Sequence, residues 1–360
     1  MTGAPTTPGA ATGAACPSCG EIVPARASWC EACGMALEAT AAGSAEAAAP
    51  AARVGTVAPV GTSVRTCREC GGVVDADGWC TVCGAAAPRP RDHVVVDAGD
   101  GVGGVSDRGR RHHRNEDAVA LHTGTGDTAG APTVLVVCDG VSTSPDSDVA
   151  SLAAAEAAVR TAVEHLAAGA WAREATEDAL VAAVTAADHA VAATAEGAPG
   201  TADGPPSCTL AAAVVGPGEV VAASVGDSRV YWLPDRGPAV QLTRDDSWAA
   251  EQLEAGADRA LVEASPHAHA ITRWLGADSP DPSPRLSSLA LDGPGWVLAC
   301  SDGLWNYAPT PADVRRVVDE HRADADATRL AEALVAWANA QGGRDNITVA
   351  LARVGSGGTT

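Results

Sequence analysis

The most regular pattern along the chain is a set of short apolar runs that end in acids. Val134-Leu-Val-Val-Cys138 is followed by Asp139-Gly140, and Trp296-Val-Leu-Ala-Cys300 by Ser301-Asp302-Gly303. Asn115-Glu116-Asp117 precedes a short apolar stretch, Gly226-Asp227-Ser228 interrupts one, and Asp345-Asn346 precedes Ile347-Thr-Val-Ala-Leu-Ala. β-prone runs bounded by Asp-Gly predict buried strands that stop at turns. Further strands are predicted at 208–215 and 219–225, joined as a hairpin by Gly216-Pro217-Gly218, and at 229–233 and 347–354. Helical spacing predicts helices from Ser151 to about Leu166, after the capping region Asp146-Ser147-Asp148, and from Thr176 to about Thr194. Two more are predicted at 311–320 and 327–340. Residues 243–285 predict helices and a surface flap, 106–117 a polar connection between strands, and 197–206 a loop. Hairpin groups of strands with paired helices between them predict antiparallel sheets covered by helices.

A carboxylate at the end of a buried strand is costly unless something pairs with it. Several strand ends carry one here. Their convergence on a shared site for a hard divalent cation with oxygen ligands accounts for all of them at once.

The N-terminal quarter has a different pattern. Cys16-Pro-Ser-Cys19-Gly and Trp29-Cys30-Glu-Ala-Cys33-Gly form one pair of C-x2-C knuckles, within 13–37. Cys67-Arg-Glu-Cys70-Gly and Trp79-Cys80-Thr-Val-Cys83-Gly form a second, within 63–88. Each set supplies four thiolates for a tetrahedral zinc, with a glycine after each knuckle for the tight turn. Modules this small take their folding energy from the metal, so two structural zinc ions are expected. Residues 38–62 are rich in Ala, Gly, Thr and Pro and predict a flexible linker. The globular part is placed at 97–354.

Composition narrows the partners. The chain has 360 residues and a formal net charge of -21, and every basic residue is arginine. Such acidity excludes nonspecific binding to nucleic acid or anionic membranes. There is no leader pattern at the N-terminus and no run near the roughly 20 apolar residues of a membrane span, so a cytoplasmic location is expected. Cys138, Cys208 and Cys300 sit singly in apolar runs and are expected in the core.

Taken in order, the motifs of residues 97–354 resemble the metal-dependent protein phosphatase family, type 2C, in its bacterial form. They are Ser106-Asp-Arg-Gly109 with Asn115-Glu-Asp117, Val137-Cys-Asp139-Gly140, Ser207-Cys-Thr209 and Val225-Gly-Asp227-Ser-Arg229-Val-Tyr231. Leu242-Thr-Arg-Asp245, Ile271-Thr-Arg-Trp-Leu-Gly276, Cys300-Ser-Asp302-Gly303-Leu-Trp305 and Gly343-Arg-Asp345-Asn346-Ile-Thr-Val349 follow. The resemblance implies an α+β fold, a four-layer α-β-β-α sandwich of two antiparallel sheets flanked by helix pairs, here preceded by two small zinc ribbons. It implies a serine/threonine phosphatase with two Mn or Mg ions, or three. Asp117, Asp139, Asp302 and Asp345 would be the metal carboxylates, Gly140 would give its carbonyl, and Asp227 with Asp302 would hold the third ion. Phosphorylated Ser/Thr proteins are the implied substrates, a Ser/Thr kinase or its substrates the implied partners, and the catalytic domain is expected to be monomeric. Two cations that activate a water and offset phosphoryl charge are what phosphomonoester hydrolysis needs.

The chain departs from that family in places. His112 stands where the family has a phosphate-binding arginine, with Arg111 and Arg114 as nearby substitutes. Ser142-Thr143 replaces a Gly-Gly, and Asp246 replaces a flap histidine. A phosphoprotein-binding adaptor without catalysis is therefore a rival reading. The ribbons are expected to serve protein interaction.

Overall fold

The computed structural model describes residues 66–67, 70–75, 78–84, 87, 89–99, 101–123, 132–167, 171–195, 204–323 and 325–355, with backbone alone at 13–15, 22–24 and 53–54. By its contacts the chain separates into two units, residues 1–51 and 52–360. In the first unit, β1 (Gly13–Ala15) pairs antiparallel with β2 (Ile22–Pro24). Cys16, Cys19, Cys30 and Cys33 lie outside the described residues.

The second unit contains two six-stranded sheets, every neighbouring pair antiparallel. Its strands are β3 (Arg53–Val54), β4 (His93–Gly99), β5 (Val102–Asp107), β6 (Ala118–His122), β7 (Thr133–Cys138), β8 (Leu210–Gly216), β9 (Glu219–Val225), β10 (Arg229–Pro234), β11 (Val240–Gln241), β12 (Arg285–Ala290), β13 (Gly295–Cys300) and β14 (Ile347–Val354). One sheet runs β11-β10-β13-β14-β5-β4 and the other β12-β9-β8-β7-β6-β3. The helices are α1 (Ser147–Leu166), α2 (Arg173–Thr194), α3 (Trp248–Glu254), α4 (Arg259–Glu263), α5 (Asp302–Trp305), α6 (Pro311–His321) and α7 (Ala327–Gln341).

The layers follow from alternation along each strand, because successive side chains point to opposite faces. Leu135 and Val137 of β7 turn inward and meet Val230, Val297 and Ala350 of the other sheet. Val134 and Val136 turn outward, onto Ala154 and Ala158 of α1 and Leu180 and Ala187 of α2. On the opposite side Leu298 and Val349 pack on Val314 of α6 and Leu330 and Leu334 of α7. The result is the expected helix–sheet–sheet–helix sandwich. With no phenylalanine, the inter-sheet and helix layers are built from Val, Leu and Ala, closed by Trp232, Trp296 and Tyr231.

Local signals place most helix starts. Thr310 and Asp313 form a reciprocal capping box with Pro311 at the first turn of α6, and Asp326 caps α7 through the Arg329 N–H at 2.8 Å. α1 begins four residues earlier than its apolar pattern, at Ser147, after Asp146 turns the chain with φ 48°. Pro217-Gly218 closes the β8–β9 hairpin, with Gly216 opposite Glu219. The strand β3 falls within the stretch read as linker and pairs with β6.

Candidate active site

Strand register gathers the acids at one end of the sandwich. Ala118 pairs with Cys138, so Asp117 and Asp139 sit at the same end of β6 and β7. Cys300 pairs with both Arg229 and Val349, which brings Asp302, Asp227 and Asp345 to the matching end of the other sheet. Two asparagines hold the loops that carry these groups. Asn346 accepts the Glu116 N–H at 2.8 Å and donates to the carbonyls of Arg108 (2.8 Å) and Arg114 (3.1 Å). Asn115 donates to the Arg91 carbonyl and the Ser106 hydroxyl, both at 2.9 Å. An amide is needed at 346 because one side chain must both donate and accept.

The glycines of the two Asp-Gly pairs answer to crowding. Neither has positive φ. A Cβ on Gly140 would lie 2.6 Å from the Glu116 carbonyl oxygen, and one on Gly303 would lie 1.9 Å from that of Asn346. Gly303 is inside α5, so β13 leads through Ser301 directly into a helix and does not stop at a turn.

Burial and mutual repulsion dominate the electrostatics. Burial first, then the carboxylates of Asp117, Asp302, Asp345 and Asp227, pushes Asp139 well above the usual carboxylate range. Asp302 is pushed up in the same way, by burial and then by Asp227, Asp345 and Asp117. Burial raises Asp117 to about 6 and Asp227 to about 7. Asp117 Oδ2 accepts the Ser301 hydroxyl at 2.7 Å, but its Oδ1 and the Oδ1 of Asp302 are buried without a hydrogen-bond partner. Asn306 donates to the other Asp302 oxygen at 3.0 Å. Buried, mutually repelling carboxylates with orphaned oxygens fit a hard divalent cation as their missing partner. Among the described residues, a cysteine quartet brings ligand atoms within 4.8 Å of one another, and no three of these acids do.

That quartet is Cys67, Cys70, Cys80 and Cys83. Sulfurs of Cys67 and Cys83 are 3.6 Å apart and those of Cys70 and Cys80 3.5 Å. A tetrahedron with metal–sulfur bonds of about 2.3 Å has edges of about 3.8 Å, so the quartet fits zinc. Gly71 and Gly84, after the second and fourth cysteines, have φ of 71° and 72°, as knuckle turns require. The N–H groups of Cys83 and Val82 hold the Cys80 thiol down at about 6. Cys138, Cys208 and Cys300 are wholly buried core residues, and burial raises the thiols of Cys138 and Cys300.

The protein phosphatase 2C family model matches residues 104–339, two-thirds of the chain and the whole acidic end of the sandwich except Asp345. The chain belongs to the protein phosphatase 2C family. A double zinc ribbon model matches residues 16–84. Protein phosphatase PhpP of Streptococcus pneumoniae is 36% identical over 135 residues, which is 37% of this chain and 52% of that protein. The chain thus spans about half the length of the curated relatives it matches. The S. agalactiae serine/threonine phosphatase structure superposes with a TM-score of 0.56 at 24% identity, over 68% of this chain and 96% of that one, and shares the fold. The catalytic domain of the serine/threonine protein phosphatase PstP, solved in complex with two manganese ions, superposes with a TM-score of 0.52 at 26% identity, over 70% of this chain and 96% of that one.

In this protein phosphatase 2C chain the side chains expected to grip phosphate are placed differently from one another. His112 sits between two carboxylates, Nε2 3.1 Å from Asp345 and Nδ1 3.5 Å from Glu116. The bond to Glu116 raises its pKa against its burial, with Asp345 adding to the rise. Arg114 is committed to Glu116 (2.9 Å) and Asp148 (3.3 Å). Burial favours neutral Glu116, but His112, Ser147 and Arg114 outweigh it and hold its pKa at about 2. Arg111 is exposed and forms no hydrogen bond or ion pair among the described residues.

Other motif residues support the site through contacts that the sequence does not reveal. Trp305 donates to the Asp227 carbonyl at 3.0 Å, and the Arg229 guanidinium lies 3.7 Å from the Trp305 ring centroid while paired with Asp245 at 2.6 Å. Asp246 is fully buried, accepts from Arg273 at 3.3 Å and Arg285 at 2.5 Å, and takes the Gly226 N–H beside Asp227. A cavity of about 340 Å³ opens beside Asp302 and Asp345, lined also by His269, Asn306, Tyr307 and Arg344.

Proposed function

We propose that the chain is a metal-dependent phosphatase of phosphoserine and phosphothreonine proteins. The observation that carries this reading is the gathering of carboxylates at one end of the sandwich, with buried orphaned oxygens on Asp117 and Asp302 and an open cavity beside Asp302 and Asp345. Asp117, Asp139, Asp302 and Asp345, with the Gly140 carbonyl, would hold Mn or Mg, and Asp227 with Asp302 a third ion. The manganese pair named for the related PstP domain and the names of the streptococcal and Listeria relatives support it. When bound, the ions supply an activated water and neutralise phosphoryl oxygens. The chain's own residues set the geometry: Ser301 orients Asp117, Asn306 orients Asp302, and His112 steadies Asp345.

The ribbons, at Cys16, Cys19, Cys30 and Cys33 and at Cys67, Cys70, Cys80 and Cys83, would each hold a structural zinc and recruit a protein partner, a Ser/Thr kinase or its substrates. A cytoplasmic, monomeric enzyme fits the acidic composition; no helix among the described residues is long and apolar enough to cross a membrane. A phosphoprotein-binding adaptor is the second reading, favoured by a histidine committed to carboxylates where the family has arginine. Phosphate release from a phosphothreonine peptide with Mn separates them. The wild-type chain is expected to turn over, and Asp139→Asn to lose at least about 100-fold in kcat. An inactive wild-type chain that still binds the peptide would establish the adaptor.

A further inference from the structure

We infer that Arg344 is the side chain that holds the substrate phosphate, in place of the arginine that His112 has displaced. The sequence offers three candidates to hold phosphate, His112, Arg111 and Arg114, and none is both free and in the cavity. Both nitrogens of His112 face carboxylates, and Arg114 is spent on Glu116 and Asp148. Arg111 does not line the cavity. Arg344 does, next to Asp302 and Asp345, and its guanidinium has no hydrogen bond or ion pair among the described residues.

Its backbone is held where the side chain is not. The Arg344 N–H donates to the Tyr307 hydroxyl at 3.0 Å, and the loop is anchored on either side by the Gly343 carbonyl, which accepts from Arg110 at 2.7 Å, and by Asn346. A fixed backbone that carries an unpaired guanidinium at the lining of a 340 Å³ cavity is a preorganised anion donor. In a chain of net charge -21, a free guanidinium beside buried carboxylates finds its partner in an anion brought from outside. A guanidinium fork meets two oxygens of a phosphate monoester at once, which a histidine cannot. His269 lines the same cavity and is exposed, which makes it a second donor to the phosphoryl or peptide oxygens.

This assignment rests on the phosphatase reading for the ligand's identity, so two measurements are paired. The first is the steady-state kinetics of the full chain with Mn on a phosphothreonine peptide. Arg344→Ala is expected to raise KM about 10- to 100-fold with a smaller change in kcat, and Arg344→Lys to recover part of the loss. The second is calorimetric titration of inorganic phosphate into the Mn-loaded chain, where Arg344→Ala is expected to weaken binding by a similar factor while leaving the Mn dissociation constant within about twofold. If the wild-type chain binds phosphate through Arg344 yet releases none from the peptide, the phosphatase reading falls and the assignment stands. Phosphate affinity and KM unchanged in Arg344→Ala, or a Mn affinity that falls in parallel with phosphate affinity, would overturn it.

Discussion

At the scale of single residues, what distinguishes Asp302 from an ordinary surface acid is that one of its oxygens is buried and unpartnered. Asp302→Asn keeps the side chain's shape and its Asn306 contact but removes charge from a cluster that repels itself. The expected outcome is a fall in turnover of at least about 100-fold, with a melting temperature no lower than about 3 °C below wild type. Retained turnover would remove Asp302 from the site. Asp246 predicts the opposite pairing of effects. Its buried carboxylate joins Arg273 and Arg285, so Asp246→Ala strands both guanidinium groups. A loss of about 3–5 kcal/mol in urea denaturation is expected; a loss under about 1 kcal/mol would show that the arginines find other partners. The acids were legible in the sequence because a carboxylate at the end of an apolar run breaks the pattern. Arg344 was not, because a cation in an exposed loop breaks none. His112 was found by its position, but its contacts depend on where Glu116 and Asp345 lie across the fold.

At the scale of elements, the salt-bridge cluster around Asp235 pins α6 to the far ends of β10 and β14. Asp235 accepts from Arg353 at 2.6 Å and Arg322 at 2.7 Å, and Arg315 donates to its carbonyl at 3.1 Å. The Arg353 bond, with Arg322 beside it, holds the Asp235 pKa below the carboxylate range despite burial. A depressed folded pKa means the unfolded chain binds the proton more tightly. The stabilisation is therefore present above the unfolded value of about 3.9 and is lost as pH falls through the lower folded value. Urea midpoints measured from pH 6 to pH 3 should fall less steeply in Asp235→Asn than in wild type; parallel curves would show that the cluster contributes nothing. Most central strands and the long helices were legible, since full burial writes a continuous apolar run or a helical stripe; central β5 was not, because Val-Gly-Gly-Val-Ser-Asp writes no such run and its last two residues were read as part of a polar connection. The four edge strands, β3, β4, β11 and β12, were not. β12 reads Arg-Leu-Ser-Ser-Leu-Ala and is only partly buried, so half of its signal is polar. The Asp-Gly pairs were read as turns, whereas Gly140 and Gly303 are there because another backbone passes too close for a Cβ.

For the whole molecule, oxygen and sulfur ligands are segregated along the chain, which sets two metal chemistries apart in one polypeptide. The ribbon cysteines are expected to carry structure and recruitment only. Cys80→Ala should lose one zinc per chain while leaving kcat on p-nitrophenyl phosphate within about twofold, since four thiolates leave no open position for chemistry. A large fall in kcat would show that the ribbon bears on the catalytic face. The ribbon spacing was legible because C-x2-C pairs have few other uses. The central claim is that the buried carboxylates work by holding Mn or Mg, and the most direct measurement is a metal titration of phosphothreonine-peptide hydrolysis by the full chain, with zinc followed in parallel. Stripping Mn and Mg with a chelator too weak to take the ribbon zinc should abolish turnover, and added Mn should restore it with zinc content unchanged. Turnover that persists without Mn or Mg, or that tracks the zinc content instead, would contradict the account.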